Sequence, residues 1–320
     1  MDKTTPEQKG LPADFVERLR RIVPQPAFSP ILESFSLPKT TTFRVNPLKS
    51  DAQTLQSELL KAGLHPQPVD WLPGAFRLPT EEKRLLTETD AFYEGRLYIQ
   101  NLSSMLAPLL LAPQPRERIL DLAAAPGGKT LMMAGIMEDR GWISAVEPVS
   151  DRFHRLRRNL ENAGTAIVHT YRKDGRGVGR ACPLQFDRVL LDAPCSSEAK
   201  FRSAEPRTFA YWSLRKIRES QKLQKRLILS AWQSLKPGGT LLYSTCSFAP
   251  EENEAVVDFL LTKASQEAVL LPVDLPISNT MEGLTEWGKR HFSSELRLSR
   301  RILPDGEMDG FFLAKIRKRP

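Results

Sequence analysis

The stretch Ile119-Leu-Asp-Leu-Ala-Ala-Ala-Pro-Gly-Gly-Lys-Thr130 constrains this chain more than any other. Its apolar start, closing on Asp121, has the length and composition of a buried strand. Pro126-Gly127-Gly128 then dictates a tight turn, and Lys129 to Ala134 opens a helical pattern. A strand, a glycine turn and a helix N-terminus together direct backbone N–H groups at a ligand. Gly127 and Gly128, lacking Cβ atoms, would let that ligand approach closely.

Two ligands compete for such a loop. A phosphate cradle needs G-x-x-x-x-G-K-[ST], and Gly128-Lys129-Thr130 supplies its second half. Ala123 stands where the first glycine belongs, and Pro126 has no N–H to donate. The other ligand is an adenosine cofactor, whose ribose hydroxyls take a carboxylate at the end of the next strand. Trp142 to Glu147 supplies one, at a spacing somewhat longer than the usual ~20 residues. The adenosine reading is the stronger.

From Arg118 onward strands and helices alternate, which predicts an α/β fold with a doubly wound, mostly parallel sheet. Strands are expected at 118–121, 142–147, 166–171, 187–192 and 240–245, and a last aromatic-rich one at 310–316. Helices are expected at 151–163, at 214–235 before Pro237-Gly238-Gly239, and at 251–263, the last with an acidic first turn facing its dipole. Ahead of them, a strand at 42–46, a helix at 52–62 closed by Gly63 and a broken strand-like 67–77 predict a small α+β module over residues 25–92. Residues 1–24 read as a tail, disordered over 1–12, with a short helix at 14–22 before the break at Pro24 and Pro26. Residues 93–320 form the large domain, entered through a helix at 103–111. Ligands of such sheets lie beyond the carboxyl ends of the strands. Asp121, Glu147, Asp174, Asp192 and Cys246 all fall there.

Charge narrows the partner. The net charge of +8 is uneven, with basic clusters at 152–158, 172–180, 200–226, 289–301 and 315–319. Several such faces favour a polyanion, and nucleic acid is the commonest. The longest nearly apolar run, Leu106 to Pro113, is too short to span a membrane. Met1 to Gly10 has no apolar signal core, so an intracellular, cytoplasmic protein is expected. Three cysteines make no disulfide framework, and the four histidines show no ligand spacing with them, so no metal site is expected.

Cys195 follows the fourth strand and Cys246 the fifth, both at the ligand edge, whereas Cys182 reads as a small buried hydrophobe. A thiol at that edge serves as a soft nucleophile that can leave again. Spacing alone does not separate this from a redox couple, although the pair is not C-x-x-C.

The loop at 121–130, Asp192-Ala-Pro-Cys195-Ser and Ser244-Thr-Cys246-Ser, with Pro250-Glu-Glu-Asn253, resemble the Sun/Fmu family of RNA (cytosine-5)-methyltransferases. Supporting matches are Phe43-Arg-Val-Asn-Pro-Leu-Lys49, Tyr98-Ile-Gln-Asn-Leu-Ser-Ser-Met105 and Asp309-Gly-Phe-Phe312. The resemblance implies a Rossmann-like methyltransferase domain that holds S-adenosylmethionine through Ala123, Ala124, Ala125, Pro126, Gly127, Gly128, Lys129, Glu147, Asp174 and Asp192. It implies Cys246 as nucleophile and Cys195 as the residue assisting product release. The implied partner is RNA, ribosomal before transfer RNA, and the implied state a monomer. The family often continues its Pro-Cys-Ser with Gly-x-Gly, where this chain has Ser197-Glu198-Ala199, so the rim of the base pocket differs. Arg301-Ile-Leu-Pro304 lacks the histidine often found beside that proline.

The chemistry explains the residue types. Carbon 5 of cytosine is a poor nucleophile until a thiolate adds at carbon 6 and makes the ring an enamine. A free thiol is only a few per cent ionised at neutral pH, so a nearby cation is needed, and Lys129 is the expected one. Asp192 suits the ring nitrogen and amino edge of the base. Rival readings are a DNA cytosine-5 methyltransferase attacking through Cys195, a P-loop nucleoside triphosphatase using Lys129 and Asp192, and a non-enzymatic RNA-binding protein.

Overall fold

The computed structural model describes residues 10–320, so the expected tail lies, up to residue 9, outside the described residues. Two helices come first, Ala13–Ile22 and Gln25–Ser34. The second corrects the expected break. Pro24 is its N-cap and Pro26 lies in its first turn, where the missing N–H would have had no partner anyway. Both helices send aromatic side chains towards the far end of the chain. Phe15, Phe28 and Phe35 share a core with Phe201 and Phe248, and the Phe15 and Phe201 rings meet edge to face at 4.9 Å.

The module is an antiparallel sheet of β1 (Thr41–Val45), β2 (Gln67–Pro68), β3 (Ala75–Leu78) and β4 (Leu97–Ile99), in the order β2-β3-β1-β4. Helix Ala52–Lys61 covers it, started by Asp51 accepting from the Thr54 N–H at 2.8 Å and closed at Gly63 with φ +80°. Phe43, Leu55, Leu59, Phe76 and Leu97 fill the space between. The edge strand β4 lies past residue 92, so the expected boundary would cut this sheet. Three residues are too few to show an alternating pattern.

The large sheet is built from β5 (Arg118–Asp121), β6 (Trp142–Val146), β7 (Val168–Tyr171), β8 (Phe186–Asp192), β9 (Leu235–Thr245), β10 (Ala268–Leu271), β11 (Thr280–Glu282), β14 (Arg300–Ile302) and β15 (Phe311–Lys318). A two-stranded hairpin, β12 (Glu286–Trp287) with β13 (Arg290–His291), stands apart. The sheet order is β11-β14-β15-β9-β8-β5-β6-β7, with β10 pairing to β15. From β9 to β7 every pairing is parallel, and β15 runs antiparallel to β9. The α/β, mostly parallel architecture is therefore as the alternation predicts.

Successive residues on the central strands face opposite layers, as the two-residue period of a strand requires. Val189, Leu191, Leu241 and Tyr243 meet the helices Leu214–Ser234 and Glu254–Lys263. Leu190, Leu242 and Leu313 meet the helices Leu102–Leu111 and Gly128–Ile136. Two expected boundaries change. Pro237-Gly238-Gly239 lies within the span of β9, because Phe186 pairs Leu235 and Arg188 already pairs Thr240, so the residues between are looped out of the ladder. The third helix starts at Glu254, not 251: Glu252 turns inward, and Asn253 commits its side chain to Thr245 and Ser247. Among the described residues no helix is long and apolar enough to cross a membrane.

One ion pair locks the last strands to that helix. Arg301 and Glu254 are 4% and 0% exposed at their side chains, joined at 2.5 and 2.7 Å, and Arg301 also donates to the Phe248 carbonyl at 2.9 Å. Arg301→Ala would strand a buried carboxylate, at a cost of about 3–5 kcal/mol. Chemical denaturation measures it, and a loss below ~1 kcal/mol would show that Glu254 finds another partner.

Candidate active site

The parallel register of β8 and β9 sets Asp192 opposite Ser244, so both strands leave the sheet at the same point. Their loops remain bonded beyond it, Ala193 N–H to the Ser244 carbonyl at 2.8 Å and Ala199 N–H to the Cys246 carbonyl at 3.1 Å. The Sγ atoms of Cys195 and Cys246 therefore lie 3.4 Å apart. One thiol hydrogen-bonds the other, and the pair is polarised. Cys246 is held below the ordinary thiol range, first by the hydrogen bond from Cys195 and then by the charge of Lys200, against the effect of burial. Cys195 is raised, by the same hydrogen bond and by burial.

The cation beside the cysteines is Lys200, not Lys129. Lys129 Nζ is taken by Asp192 Oδ2 at 2.7 Å and by Ser104 Oγ at 2.6 Å. Asp192 Oδ1 accepts from Ser244 Oγ at 2.9 Å, which fixes the carboxylate at the floor of the site. These groups line one cavity of about 640 Å³ with Asp121, Ala123 to Pro126 and Gly128. Lys200 is missed by sequence reasoning because only tertiary folding brings it to Cys246. Gln100 also lines the cavity, with its buried Nε2 unpartnered.

The glycine loop differs from expectation in what its glycines do. Gly127 adopts φ +110°, a conformation that a side chain disfavours. Gly128 lines the cavity and also makes room for the module. A Cβ there would stand 2.7 Å from the Tyr98 ring and 3.1 Å from Gln100 Oε1. Arg44 of β1 completes this seam, donating to the Gly128 carbonyl at 3.0 Å and to Gln100 Oε1 at 3.2 Å. On the outer side, Asn159 donates to the Pro126 carbonyl at 2.7 Å and Arg152 to that of Ala125 at 2.9 Å.

The loop suits an adenosine cofactor better than a phosphate chain. Thr130 Oγ1 is bound to Asp121 Oδ2 at 2.7 Å and Lys129 to Asp192, so neither is free for phosphate or magnesium. Two buried acceptors instead await donors, Asp121 Oδ1 and Glu147 Oε2. Arg152 Nη1 is 3.3 Å from that Glu147 oxygen, an ion-pair distance without hydrogen-bond alignment. Burial chiefly pushes Asp121 up to about 6, which a cationic partner would reverse. An ammonium group and ribose hydroxyls are the donors that these two carboxylates lack, so the residues fit S-adenosylmethionine. Asp174 stands apart from this cavity. Its half-exposed carboxylate caps the Arg176 N–H at 2.9 Å and pairs with the Arg176 guanidinium. A second crevice of about 720 Å³, between the module and helix Ser150–Ala163, holds neither cysteine nor carboxylate and touches the cavity only at Tyr98 and Ile99.

Comparison with known proteins gives the same picture. Residues 108–317 match the family model described as 16S rRNA methyltransferase RsmB/F, and residues 11–102 the one for the N-terminal domain of 16S rRNA methyltransferase RsmF. The tRNA (cytosine(49)-C(5))-methyltransferase of Pyrococcus abyssi is 42% identical over 88% of this chain and 89% of its own length. Ribosomal RNA small subunit methyltransferase F of Cronobacter sakazakii is 34% identical over 96% of this chain, which spans only 63% of that relative. The solved structure of a methyltransferase homologue from Pyrococcus horikoshii superposes with a TM-score of 0.77 at 34% identity, covering 96% of this chain and 100% of that one.

Lys200→Ala should raise the Cys246 thiol, because it removes a positive charge that favours the thiolate. The pH midpoint of Cys246 alkylation by iodoacetamide, resolved by mass spectrometry, should move up, with slower reaction at neutral pH. An unmoved midpoint would leave the Cys195 hydrogen bond as the sole cause.

Proposed function

The chain belongs to the RsmB/F methyltransferase family, and from that premise we propose that it forms 5-methylcytosine in RNA through covalent attack by Cys246. The observation that carries this reading is geometric: two cysteine sulfurs 3.4 Å apart, in one cavity with Asp192, Lys200 and the glycine loop. Cys246 adds to carbon 6 of the cytosine. Asp192, anchored by Lys129 and Ser244, faces the amino edge of the base as charge develops in the ring. Bound S-adenosylmethionine supplies the methyl group. Asp121, Ala123 to Pro126, Gly128 and Lys129, which line the cavity, would hold it with Glu147, whose Oε2 lacks a donor, whereas Asp174 would first have to release Arg176. Release then requires the carbon-5 proton to leave and the carbon 6–sulfur bond to break, which restores the ring double bond. The S–H of Cys195 is placed to hydrogen-bond the departing thiolate.

Ribosomal RNA is the substrate we put first, since both matched models describe 16S rRNA enzymes. Transfer RNA is the second reading, favoured by the 42% identical archaeal relative. Bisulfite sequencing of both RNAs, with and without the gene, decides between them. A cytoplasmic monomer is the working form we propose.

RNA would be gripped through its phosphates. Helix Leu214–Ser234 begins two residues after Trp212, which is tied at 2.8 Å to Glu198 behind the Cys246 loop, and it exposes Lys216, Arg218 and Lys222. Binding should weaken steeply with salt. Charge reversal at these three positions should weaken RNA binding and leave cofactor affinity alone. Unchanged RNA affinity would remove this helix from the footprint.

The two cysteines give the decisive test. Cys246→Ala should abolish methylation and any covalent adduct. Cys195→Ala should still attack, and stall as a protein–RNA adduct that survives denaturing electrophoresis. A trapped adduct with Cys246→Ala and none with Cys195→Ala would overturn the assignment in favour of attack through Cys195.

A further inference from the structure

Behind the two cysteines lie two carboxylates, Glu198 and Glu252, 2% and 0% exposed. Each belongs to the loop of one cysteine and grips the loop of the other. Glu198, three residues after Cys195, accepts from the Phe248 and Ala249 N–H groups just past Cys246, at 2.8 and 2.9 Å. Glu252, six residues after Cys246, accepts from the Ser196 N–H just past Cys195 at 2.9 Å. Trp212 Nε1 holds the remaining Glu198 oxygen at 2.8 Å, and Gln224 Nε2 supports Glu252 at 3.1 Å.

The hydrogen bonds between them need a proton that two carboxylates and two serines do not supply. Ser247 Oγ contacts Glu252 Oε2 at 2.6 Å and Glu198 Oε2 at 3.1 Å. Ser196 Oγ contacts Glu252 Oε2 and also Ser247 Oγ at 3.0 Å. A hydroxyl donates once, so two hydroxyls cannot place a hydrogen in all four contacts. With both carboxylates ionised, two would be bare oxygen–oxygen contacts in a buried site; one added proton fills the closer one at Glu252 and leaves a single contact of 3.0–3.1 Å. Among the described residues no cation makes up the difference: Arg18, whose charge reaches Glu198, is bound to Glu251.

We propose that Glu198 and Glu252 are reciprocal positioning residues that hold the cysteine loops together and share one proton through Ser247 in the competent enzyme. This rests on the cysteine chemistry proposed above. Glu252 is the group that takes the proton. Burial first, and the charge of Glu198 second, push it up to about 7. The other titratable groups close to it are Cys195, the Tyr243 hydroxyl that donates to its carbonyl, and Glu254, which Arg301 neutralises. Helix Leu214–Ser234 faces it with the neutral Gln224. A carboxyl raised in the folded state favours its protonated form, so the arrangement is complete below neutrality and is lost as pH climbs past it.

The test compares the pH profile of kcat for the wild type, Glu252→Gln, Glu252→Ala and Ser247→Ala, with thermal melting of each. Glutamine reproduces the neutral carboxyl: its oxygen accepts from Ser196 and its amide donates to Ser247. Glu252→Gln should keep kcat near the wild-type value at slightly acid pH and lose the alkaline fall that the wild type shows. Glu252→Ala should lose about tenfold or more, the scale of a missing hydrogen bond to a charged group. Should the alanine variant fail to fold, Ser247→Ala still cuts the bridge and should move the alkaline limb. The inference fails if the wild type has no alkaline limb, if glutamine leaves it in place, or if Ser247→Ala leaves the profile unmoved. Failure of the methyltransferase reading would show separately, as no methyl transfer by the wild type, and Cys246 alkylation would then supply the same pH comparison.

Discussion

The pairing of β8 with β9 is the constraint from which the site follows. Parallel neighbours in register must leave the sheet at one edge, and Asp192 opposite Ser244 fixes how far each has travelled when it does. Three residues after one strand end and one after the other, the chain reaches a cysteine. A slip of one residue would send every side chain on a strand to the opposite face. The alternation of Leu190 and Leu242 with Leu191 and Tyr243 between two apolar layers makes such a slip expensive. The hydrophobic core therefore determines the sulfur–sulfur distance, and Cys246 itself packs against that core.

Within that frame the site is organised by which charges are already matched. Lys129 and Asp192 satisfy one another, which fixes the orientation of the carboxylate. Among the described residues Lys200 forms no ion pair, and its charge falls first on Cys246 and then on Asp192. Asp121 and Glu147 are the reverse case, buried acceptors whose donors must arrive with a ligand. The cavity is thus biased twice, towards an anionic sulfur at Cys246 and a cationic guest at Asp121.

What could be read in the sequence was what is local. The glycine turn, the strands ending in Asp121, Glu147 and Asp192, and the two cysteine loops are contiguous patterns, and the structure brings Asp121, Asp192 and both cysteines to one cavity. Lys200 carries no such mark, and Glu252 lies in a contiguous motif that says nothing of its role, because their partners come from residues some fifty positions away in the chain. Gly128 was legible as necessary but not for both its reasons: the neighbour it admits, Tyr98, lies in another domain's edge strand. Prolines misled twice, at Pro26 by starting a helix and at Pro237 by lying within a strand. In both places the missing N–H falls where the ladder or helix would not have used it.

The seam at Arg44 has a mechanical consequence. A buried guanidinium that bonds the Gly128 carbonyl and Gln100, with no carboxylate to escort it, is costly to pull away from its acceptors. Parting the N-terminal sheet from the cofactor loop would break this seam, so the boundary between them lies inside a bonded contact. A chimaera that exchanged the module alone would break a joint rather than swap a tool.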